Sequence, residues 1–105
     1  MKWCCDGFRN GYKFRHERGL LVFARPPVSD VTTEPSFHFG FRALERDRQD
    51  ALREALRGRM DGCMSLSGCT GMRFCPWCGV ELVRFYRSSW QELVDQRLID
   101  EFIVV

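Results

Sequence analysis

Two short segments in the first half of the chain carry the hydrophobic patterns of β-strands. Residues 19–25, GLLVFAR, are an apolar run that begins with a glycine and ends before two prolines, which is typical of a buried strand. Residues 36–44, SFHFGFRAL, alternate strictly, and this period of two places all three phenylalanines on one face of a half-buried strand. The proline-rich loop 26–35 joins the two segments, so we expect them to pair antiparallel.

The pattern changes to helical spacing between Leu44 and Met60. Apolar residues recur on one side of this segment, while arginine, aspartate and glutamate fill the rest, with opposite charges three residues apart. We predict one central amphipathic helix whose outer face is solvated; a basic recognition helix is the alternative. Residues 61–72, DGCMSLSGCTGM, are rich in glycine and serine and predict a connecting loop.

The last quarter of the chain predicts a strand and a helical tail. Residues 80–86, VELVRFY, alternate at first, which indicates a strand. Ser89 is followed three residues later by Glu92, the spacing of a capping box, so we expect a helix from Ser89 to about Ile99. The whole pattern predicts a single α+β domain, residues 1–105, with a small antiparallel sheet, one central helix and a C-terminal helix.

Length and composition predict a small soluble protein of the kind that often needs a crosslink. The 105 residues fit one domain with a modest core. No apolar run approaches the roughly 18 residues of a membrane span, and the N-terminus lacks the apolar stretch of a secretory signal. We therefore expect a cytoplasmic protein with reduced thiols, in which six cysteines indicate a metal site before disulfides.

The stretch Cys75-Pro76-Trp77-Cys78-Gly79 has the spacing of a zinc knuckle. The chain turns tightly between the two sulfurs, so that backbone N–H groups after the first cysteine can point at its thiolate. Glycine after the second cysteine suits a turn position with positive φ. The chain holds one such motif, and tetrahedral zinc needs two more ligands.

The candidates for the two remaining ligands are Cys4, Cys5, Cys63, Cys69, His16 and His38. We favour the terminal pair, Cys4 and Cys5, because a crosslink from there to the knuckle would tie the first residues of a small domain to its C-terminal third. Adjacent cysteines reach one ion only if the backbone kinks between them. The predicted site is one structural Zn²⁺ ion held by Cys4, Cys5, Cys75 and Cys78. Trp3 and Trp77 could pack over it and exclude water, and the other four candidates stay open as replacements for one of the terminal pair.

A second interpretation of the same motif is a redox dithiol. Cys-Pro-aromatic-Cys is also the pattern of glutaredoxin-like proteins, in which the dithiol opens a helix whose N-terminus lowers the pKa of the first thiol. Here the residues after Cys78 predict a strand, and no proline follows Pro76. A thiol–disulfide oxidoreductase that uses Cys75 and Cys78 is therefore the weaker interpretation.

The terminal motifs together carry a family resemblance. The sequence KWCCDGF at the start and RFCPWCGVEL late in the chain resemble small zinc-ribbon-like proteins of unknown function from bacteria, phages and prophages. The resemblance implies a zinc-stabilised α+β fold, with the cysteine pair and the C-x-x-C as ligands, and no assigned activity. A phage origin would imply a binding protein directed at a host or defence factor in the host cytoplasm.

Three classes of function follow: a module that binds another protein, a nucleic-acid-binding zinc module, and the oxidoreductase. The N-terminal region interleaves basic with aromatic residues, which suits phosphates and bases. These residues are Arg9, Lys13, Arg15 and Arg18 with Phe8, Tyr12 and Phe14. The net charge of +2 is too small to favour nucleic acid by itself. We expect a protein partner, no membrane association and no enzyme activity.

The C-terminal segment 88–105 is a candidate contact surface. Its predicted apolar face consists of Trp90, Leu93, Val94 and Leu98. This face either packs on the protein's own sheet or docks on a partner. Docking on a second copy would favour a homodimer, because the acidic tail would meet the basic N-terminal region.

Overall fold

The fold is α+β, as the sequence predicts. A computed structural model describes residues 1–28, 33–44, 46–55 and 67–103 of the chain. In chain order its elements are α1 (Asp6–Lys13), β1 (Gly19–Arg25), β2 (Ser36–Arg42), α2 (Arg46–Ala55), β3 (Ser67–Met72), α3 (Leu82–Phe85), a 3₁₀ helix (Trp90–Leu93) and α4 (Gln96–Phe102). Among the described residues, no helix has the length and apolar character needed to cross a membrane.

The sheet has the strand order β1-β2-β3, with β2 in the centre. β1 and β2 form the predicted antiparallel pair, with Gly19 opposite Arg42 and Arg25 opposite Ser36. The third strand overturns a prediction, because residues 67–72 belong to the expected loop and yet pair antiparallel with β2. Their glycines and small side chains show no hydrophobic alternation, so backbone hydrogen bonds to β2 define this strand and the sequence pattern does not.

Each face of the sheet buries its own cluster, because successive residues of a strand point to opposite faces. The cluster on the first face consists of Phe8, Val22, Ala24, Phe37, Cys75, Leu82, Tyr86 and Leu93. The cluster on the second face consists of Leu21, Phe23, Leu98 and Ile99. The sheet therefore joins α1, α3 and the 3₁₀ helix on one side to α4 on the other.

Helix α1 is an element that the sequence pattern does not predict. Gly7 and Gly11 lie within it, and glycine lowers helix propensity by roughly 1 kcal/mol relative to alanine. Phe8, one helical turn before Tyr12, is fully buried against the sheet. Packing of this face, more than local propensity, forms the helix.

The strand predicted over residues 80–86 is wrong. Residues Leu82–Phe85 form α3, and Glu81 alone keeps an isolated β-bridge, to Phe74. Leu82 and Tyr86 are both fully buried, and their spacing of four residues is helical. The segment is short, and its apolar residues fit both the strand period of two and the helical period of 3.6. Contacts with the core therefore decide between strand and helix.

The C-terminal segment forms two short helices in place of the single helix predicted from Ser89 to about Ile99. Ser89 precedes the 3₁₀ helix, and its side chain makes no capping hydrogen bond. The α-helix starts after Asp95, whose carboxylate accepts hydrogen bonds from the N–H groups of Arg97 and Leu98. Ser89 and Glu92 have the spacing of a capping box, but Asp95, six residues after Ser89, is the residue that caps the α-helix.

The apolar face of the tail packs on the protein's own sheet. Val94 forms a parallel bridge with Ala24, and Leu98 is fully buried against β1. Phe102 stacks on Phe23, with ring centroids 6.2 Å apart. Of the two alternatives for this face, the structure supports the intramolecular one; the last two residues of the chain lie outside the described part.

The predicted central helix is confirmed in its first part. Helix α2 starts at Arg46 and is described as far as Ala55. Asp47, Arg48 and Asp50 are exposed, as a solvated outer face requires. The predicted continuation to Met60 lies outside the described residues.

A buried charge ties three segments of the fold together. The side chain of Arg42 is 1% exposed, and it donates to both carboxylate oxygens of Glu101, at 3.1 and 2.5 Å. It also donates to the backbone carbonyls of Arg15 and Glu17, at 2.7 and 2.9 Å. Because a buried charge is tolerated when it is paired and fully hydrogen-bonded, this network fixes β2, α4 and the turn after α1 relative to one another.

The substitution Glu101→Gln should lower the free energy of unfolding by about 3–5 kcal/mol, because it leaves Arg42 buried without its counter-charge. Urea unfolding, followed by circular dichroism, measures the effect. Glu92→Gln, at an exposed acid, is the matched control and should change stability by less than about 0.5 kcal/mol. Equal effects of the two substitutions would contradict the assigned role of the buried pair.

Candidate metal centre

The four cysteines predicted as ligands lie together. The sulfurs of Cys4, Cys5, Cys75 and Cys78 all fall within 4.8 Å of one another. The Cys5 sulfur is 3.7 Å from that of Cys75 and 4.0 Å from that of Cys4. Since Cys5 and Cys75 are 70 residues apart in sequence, the cluster joins the N-terminus to the C-terminal third of the chain.

The start of α1 provides the backbone bend that two adjacent ligands require. Cys5 is the N-cap residue, with extended backbone angles of φ −165° and ψ 169°, and the helix starts at the next residue. Its sulfur accepts a hydrogen bond from the N–H of Phe8 at 3.4 Å. The N–H of Cys4 donates to the hydroxyl of Tyr86 at 3.0 Å. The change from extended to helical backbone at Cys5 thus lets both sulfurs point toward the knuckle.

The knuckle is a tight turn closed by backbone hydrogen bonds. The N–H of Cys75 donates to the carbonyl of Val80, and the N–H of Gly79 donates to the carbonyl of Cys75, both at 2.9 Å. Gly79 has a φ of +82°, the conformation predicted for the glycine after the second cysteine. The N–H groups of Trp77 and Cys78 point at the Cys75 sulfur, and that of Val80 points at the Cys78 sulfur. These donors stabilise thiolates.

The thiols of the cluster differ in exposure and acidity. Burial raises the pKa of Cys4 and of Cys75, and Cys75 is only 3% exposed. The backbone N–H of Val80 lowers the pKa of Cys78, which is exposed. A buried thiolate is unfavourable unless a cation lies beside it. The cluster therefore has the electrostatics of a site that a metal cation completes.

The distances between the sulfurs fit a tetrahedral thiolate site. With metal–sulfur bonds of about 2.3 Å, the sulfurs of a regular tetrahedron are about 3.8 Å apart, and two of the separations here are 3.7 and 4.0 Å. A disulfide requires about 2.0 Å, and all the described cysteines are free. Four sulfur ligands favour zinc, copper(I) or iron over magnesium or calcium. The four residues are thus placed to bind one metal ion.

Trp77 fills the space between the knuckle, α1 and the sheet. Its indole lies so close to α1 that a Cβ on Gly7 would be 2.4 Å from Cγ of the ring, and a Cβ on Gly11 would be 3.2 Å from Cη2. On the other side its ring meets Phe39 edge-on, with centroids 5.8 Å apart. Trp3 packs against the cluster that contains Cys75. Both tryptophans therefore lie beside elements that carry the cysteine cluster, while Trp77 and Cys78 stay exposed; their exclusion of water from the site stays a prediction.

The alternative ligands that the structure describes do not join the cluster. Of Cys63, Cys69, His16 and His38, the first lies outside the described residues. His16 is bonded to the carboxylate of Asp95 at 2.8 Å, and His38 to the hydroxyl of Ser36 at 3.0 Å. The sulfur of Cys69 lies 3.9 Å from a backbone carbonyl oxygen of α4. His16, His38 and Cys69 therefore each make a contact away from the four-cysteine cluster.

Two residues that support the site were not predicted. Tyr86 accepts the hydrogen bond from Cys4, and burial raises the pKa of its hydroxyl, which therefore stays neutral. Gly7 provides the space into which Trp77 packs. The helical spacing of Leu82 and Tyr86 is a feature of the sequence that could have identified Tyr86 as a core residue near the site. The contact between Gly7 and Trp77 leaves no such pattern in the sequence around Gly7.

Comparisons with known proteins found no match, so any assignment of function rests on the geometry of the site. No protein-family model matches the chain, and neither the curated proteins nor the solved structures give a significant match. Fold and site together define a small α+β protein in which four cysteines are placed to bind a metal ion.

The substitution Gly7→Ala should destabilise the protein, although alanine is the better helix former. The new methyl group would overlap the ring of Trp77, and we expect a loss of about 1–3 kcal/mol. Urea unfolding together with tryptophan fluorescence measures both the stability and the displacement of the indole. Asn10→Ala, at an exposed position of the same helix, is the control; equal stability of the two variants would argue against close packing at Gly7.

Proposed function

We propose that this chain is a non-enzymatic binding protein whose fold is held together by one structural Zn²⁺ ion. The observation that carries the proposal is the cluster of four thiols from the N-terminal residues and the C-terminal third of the chain. Structural zinc contributes roughly 10–16 kcal/mol of apparent binding free energy in small domains at neutral pH. A contribution of this size would dominate the stability of a chain of 105 residues.

Zinc is the metal that best suits four thiolates in this arrangement. It has no redox chemistry of its own and takes tetrahedral sulfur ligands in structural sites. Four protein ligands fill all of its positions and leave none for water or substrate. This closed coordination supports a structural role. The resemblance of the KWCC and CPWCG motifs to zinc-ribbon-like proteins agrees with the same assignment.

The geometry supports a dithiol oxidoreductase less well. Such enzymes need an accessible thiol with a lowered pKa at a helix N-terminus. Cys75 is buried, and burial raises its pKa. Helix α3 starts at Leu82, four residues after Cys78, so the knuckle does not cap it. These features favour a metal-binding role for the knuckle over thiol chemistry.

An exposed apolar surface supports the proposed binding role. Leu20, Phe41 and Trp77 are 52%, 42% and 41% exposed, and Leu20 lies directly opposite Phe41 across the β1–β2 pair. Contiguous exposed apolar side chains mark interaction sites. The resemblance to phage proteins supports a host protein in the cytoplasm as the target, and a nucleic acid is the alternative.

Serine in place of Cys4, Cys5, Cys75 or Cys78 should each remove most of the zinc from a protein that otherwise binds about one ion per chain. Mass spectrometry of metals in the dialysed, purified variants measures the zinc content. Cys69→Ser is the matched control and should keep its zinc, because Cys69 lies outside the cluster. Full zinc content in both Cys4→Ser and Cys5→Ser, with loss in Cys63→Ser, would show that the ligand set is wrong.

Removal of the metal should abolish the cooperative thermal unfolding of the protein. The ion would crosslink α1 to the knuckle, and a structural zinc site contributes folding free energy directly. Calorimetry before and after treatment with a strong chelator measures the change, with zinc-saturated chelator as the control. An unchanged melting temperature in protein shown to be free of metal is the result that the proposal cannot accommodate.

A further inference from the structure

The four cysteines of the cluster differ in their access to solvent. Cys75 is 3% exposed, and Cys4 and Cys5 are half-buried. Cys78 is exposed, and so is Trp77 directly before it. All four sulfurs lie within 4.8 Å of one another. A reagent that approaches the cluster from solvent therefore meets the sulfur of Cys78 first.

Hydrogen bonds to the sulfurs add to this difference. The Cys75 sulfur receives the backbone N–H groups of Trp77 and Cys78, whereas the Cys78 sulfur receives that of Val80. The sulfur of Cys5 also has one N–H donor, but it is half-buried. Metal ligation deprotonates all the thiols of a site, so access and hydrogen bonding distinguish the nucleophilicity of these sulfurs more than acidity does. Cys78 is the most accessible nucleophile of the cluster.

The turn of the knuckle holds a second thiol beside Cys78. The N–H of Gly79 donates to the carbonyl of Cys75, and the N–H of Cys75 donates to the carbonyl of Val80, both at 2.9 Å. These bonds are local to the knuckle and do not depend on a metal. The terminal pair, in contrast, meets the knuckle only through the tertiary fold. Cys75 is therefore the thiol that stays next to Cys78 when the coordination changes.

We propose that Cys78 is a site of oxidative modification, at which a hydroperoxide oxidises the metal-bound thiolate and Cys75 then closes a disulfide that releases the metal. An accessible thiolate next to a second cysteine is the arrangement of redox-sensing sites. Four protein ligands leave no position on the metal for the oxidant, so the reaction takes place at sulfur. The inference rests on the proposed function, because it takes the four cysteines as the ligands of one zinc ion.

The reaction consumes one equivalent of peroxide and involves two sulfurs. In the first step the Cys78 sulfur attacks a peroxide oxygen: an S–O bond forms, the O–O bond breaks, and the hydroxide or alkoxide that leaves takes a proton from water. In the second step the Cys75 thiolate attacks the Cys78 sulfur: an S–S bond forms, the S–O bond breaks, and hydroxide leaves and is protonated. Each sulfur loses one electron and the peroxide gains two. The reaction is stoichiometric, which agrees with a non-enzymatic protein.

Oxidation should loosen the attachment of α1 to the rest of the fold. The metal would crosslink residues as far apart as Cys5 and Cys75, which are separated by 70 positions in the sequence. A disulfide between Cys75 and Cys78 closes only a short loop, and the stabilisation by a crosslink grows with the length of the loop that it closes. We therefore expect the oxidised chain to melt at a lower temperature than the zinc-loaded chain.

The test uses the zinc-loaded full chain with Cys63→Ser and Cys69→Ser, in which the cluster holds all the remaining thiols. Hydrogen peroxide is added in small equivalents, a zinc-binding dye measures release of the metal, and a thiol assay counts the free sulfurs. We expect about one zinc ion and two thiols to be lost per peroxide consumed, and dithiothreitol with added zinc to restore both. The unsubstituted chain should release its zinc at the same rate.

Peptide mapping by mass spectrometry locates the new bond. A disulfide between Cys75 and Cys78 is the expected product. Zinc that is retained after excess peroxide, a disulfide that includes Cys4 or Cys5 in place of Cys75, or loss of zinc with sulfonic acid and no disulfide contradicts the proposal.

The order of alkylation tests the access of Cys78 without a change of ligand. Brief treatment of the same zinc-loaded chain with less than one equivalent of iodoacetamide should label Cys78 before the other three cysteines, because the exposed thiolate reacts first. Peptide mapping identifies the labelled residue. First labelling at Cys5 or Cys75, or equal labelling of all four cysteines, overturns the assignment of Cys78.

A change of ligand separates the exposed thiolate from the metal. Histidine is also a zinc ligand, so Cys78→His should hold zinc and lose most of its release by peroxide. Cys4→His keeps both cysteines of the knuckle and should still release its zinc to peroxide. Equal release from the two variants contradicts the proposal; if histidine at position 78 does not hold zinc, the order of alkylation decides. A chain without zinc before treatment overturns the proposed function, whereas a zinc-loaded chain that resists peroxide overturns this inference alone.

Discussion

The approach of Cys4 and Cys5 to Cys75 and Cys78 is the constraint on which the rest of the structure depends. Chain termini are ordinarily poorly ordered unless something fixes them. Here the second cysteine is also the N-cap of α1, so the residue that reaches the knuckle starts the helix as well. Helix α1 then places Phe8 in the core. There its ring stacks on that of Tyr86, with ring centroids 5.0 Å apart. The candidate metal centre and the core therefore share helix α1.

The knuckle also connects the four-cysteine cluster to the surface of the protein. Trp77 stands between the two cysteines of the knuckle, and its ring reaches both α1 and Phe39 of the sheet. A change in the position of the sulfurs would therefore move an exposed ring, that of Trp77. The glycines of α1 lower its helix propensity, and in return they allow the indole to lie against the backbone. The same side chain thus links the cysteine cluster to the packing of α1 and the sheet.

Charged side chains hold the opposite side of the sheet. Arg42 binds the carboxylate of α4, and the carboxylate of Asp95 both caps that helix and accepts from Arg15 and His16. Burial acts to raise the pKa of Asp95, but the bonds from Arg15 and His16 outweigh it and hold the pKa below its usual range. This carboxylate therefore adds stability at neutral pH that is lost as the pH falls through the lowered pKa. Thiols fix one face of the fold, and ion pairs fix the other.

The amino-acid sequence by itself determined the features that depend on local periodicity and ligand spacing. The apolar run and the alternating phenylalanines defined β1 and β2, and the C-x-x-C-G motif with a cysteine-dense N-terminus gave the four residues that the structure brings together. Tertiary structure alone decided α1, β3, α3 and the start of α4. These segments are short, and their local preferences for helix, strand and loop differ by less than the free energy of packing on a neighbour. Backbone pairing with β2, burial of Leu82 and Tyr86, and capping by Asp95 decided their conformations, because such contacts form only between residues that the folded chain has already brought together.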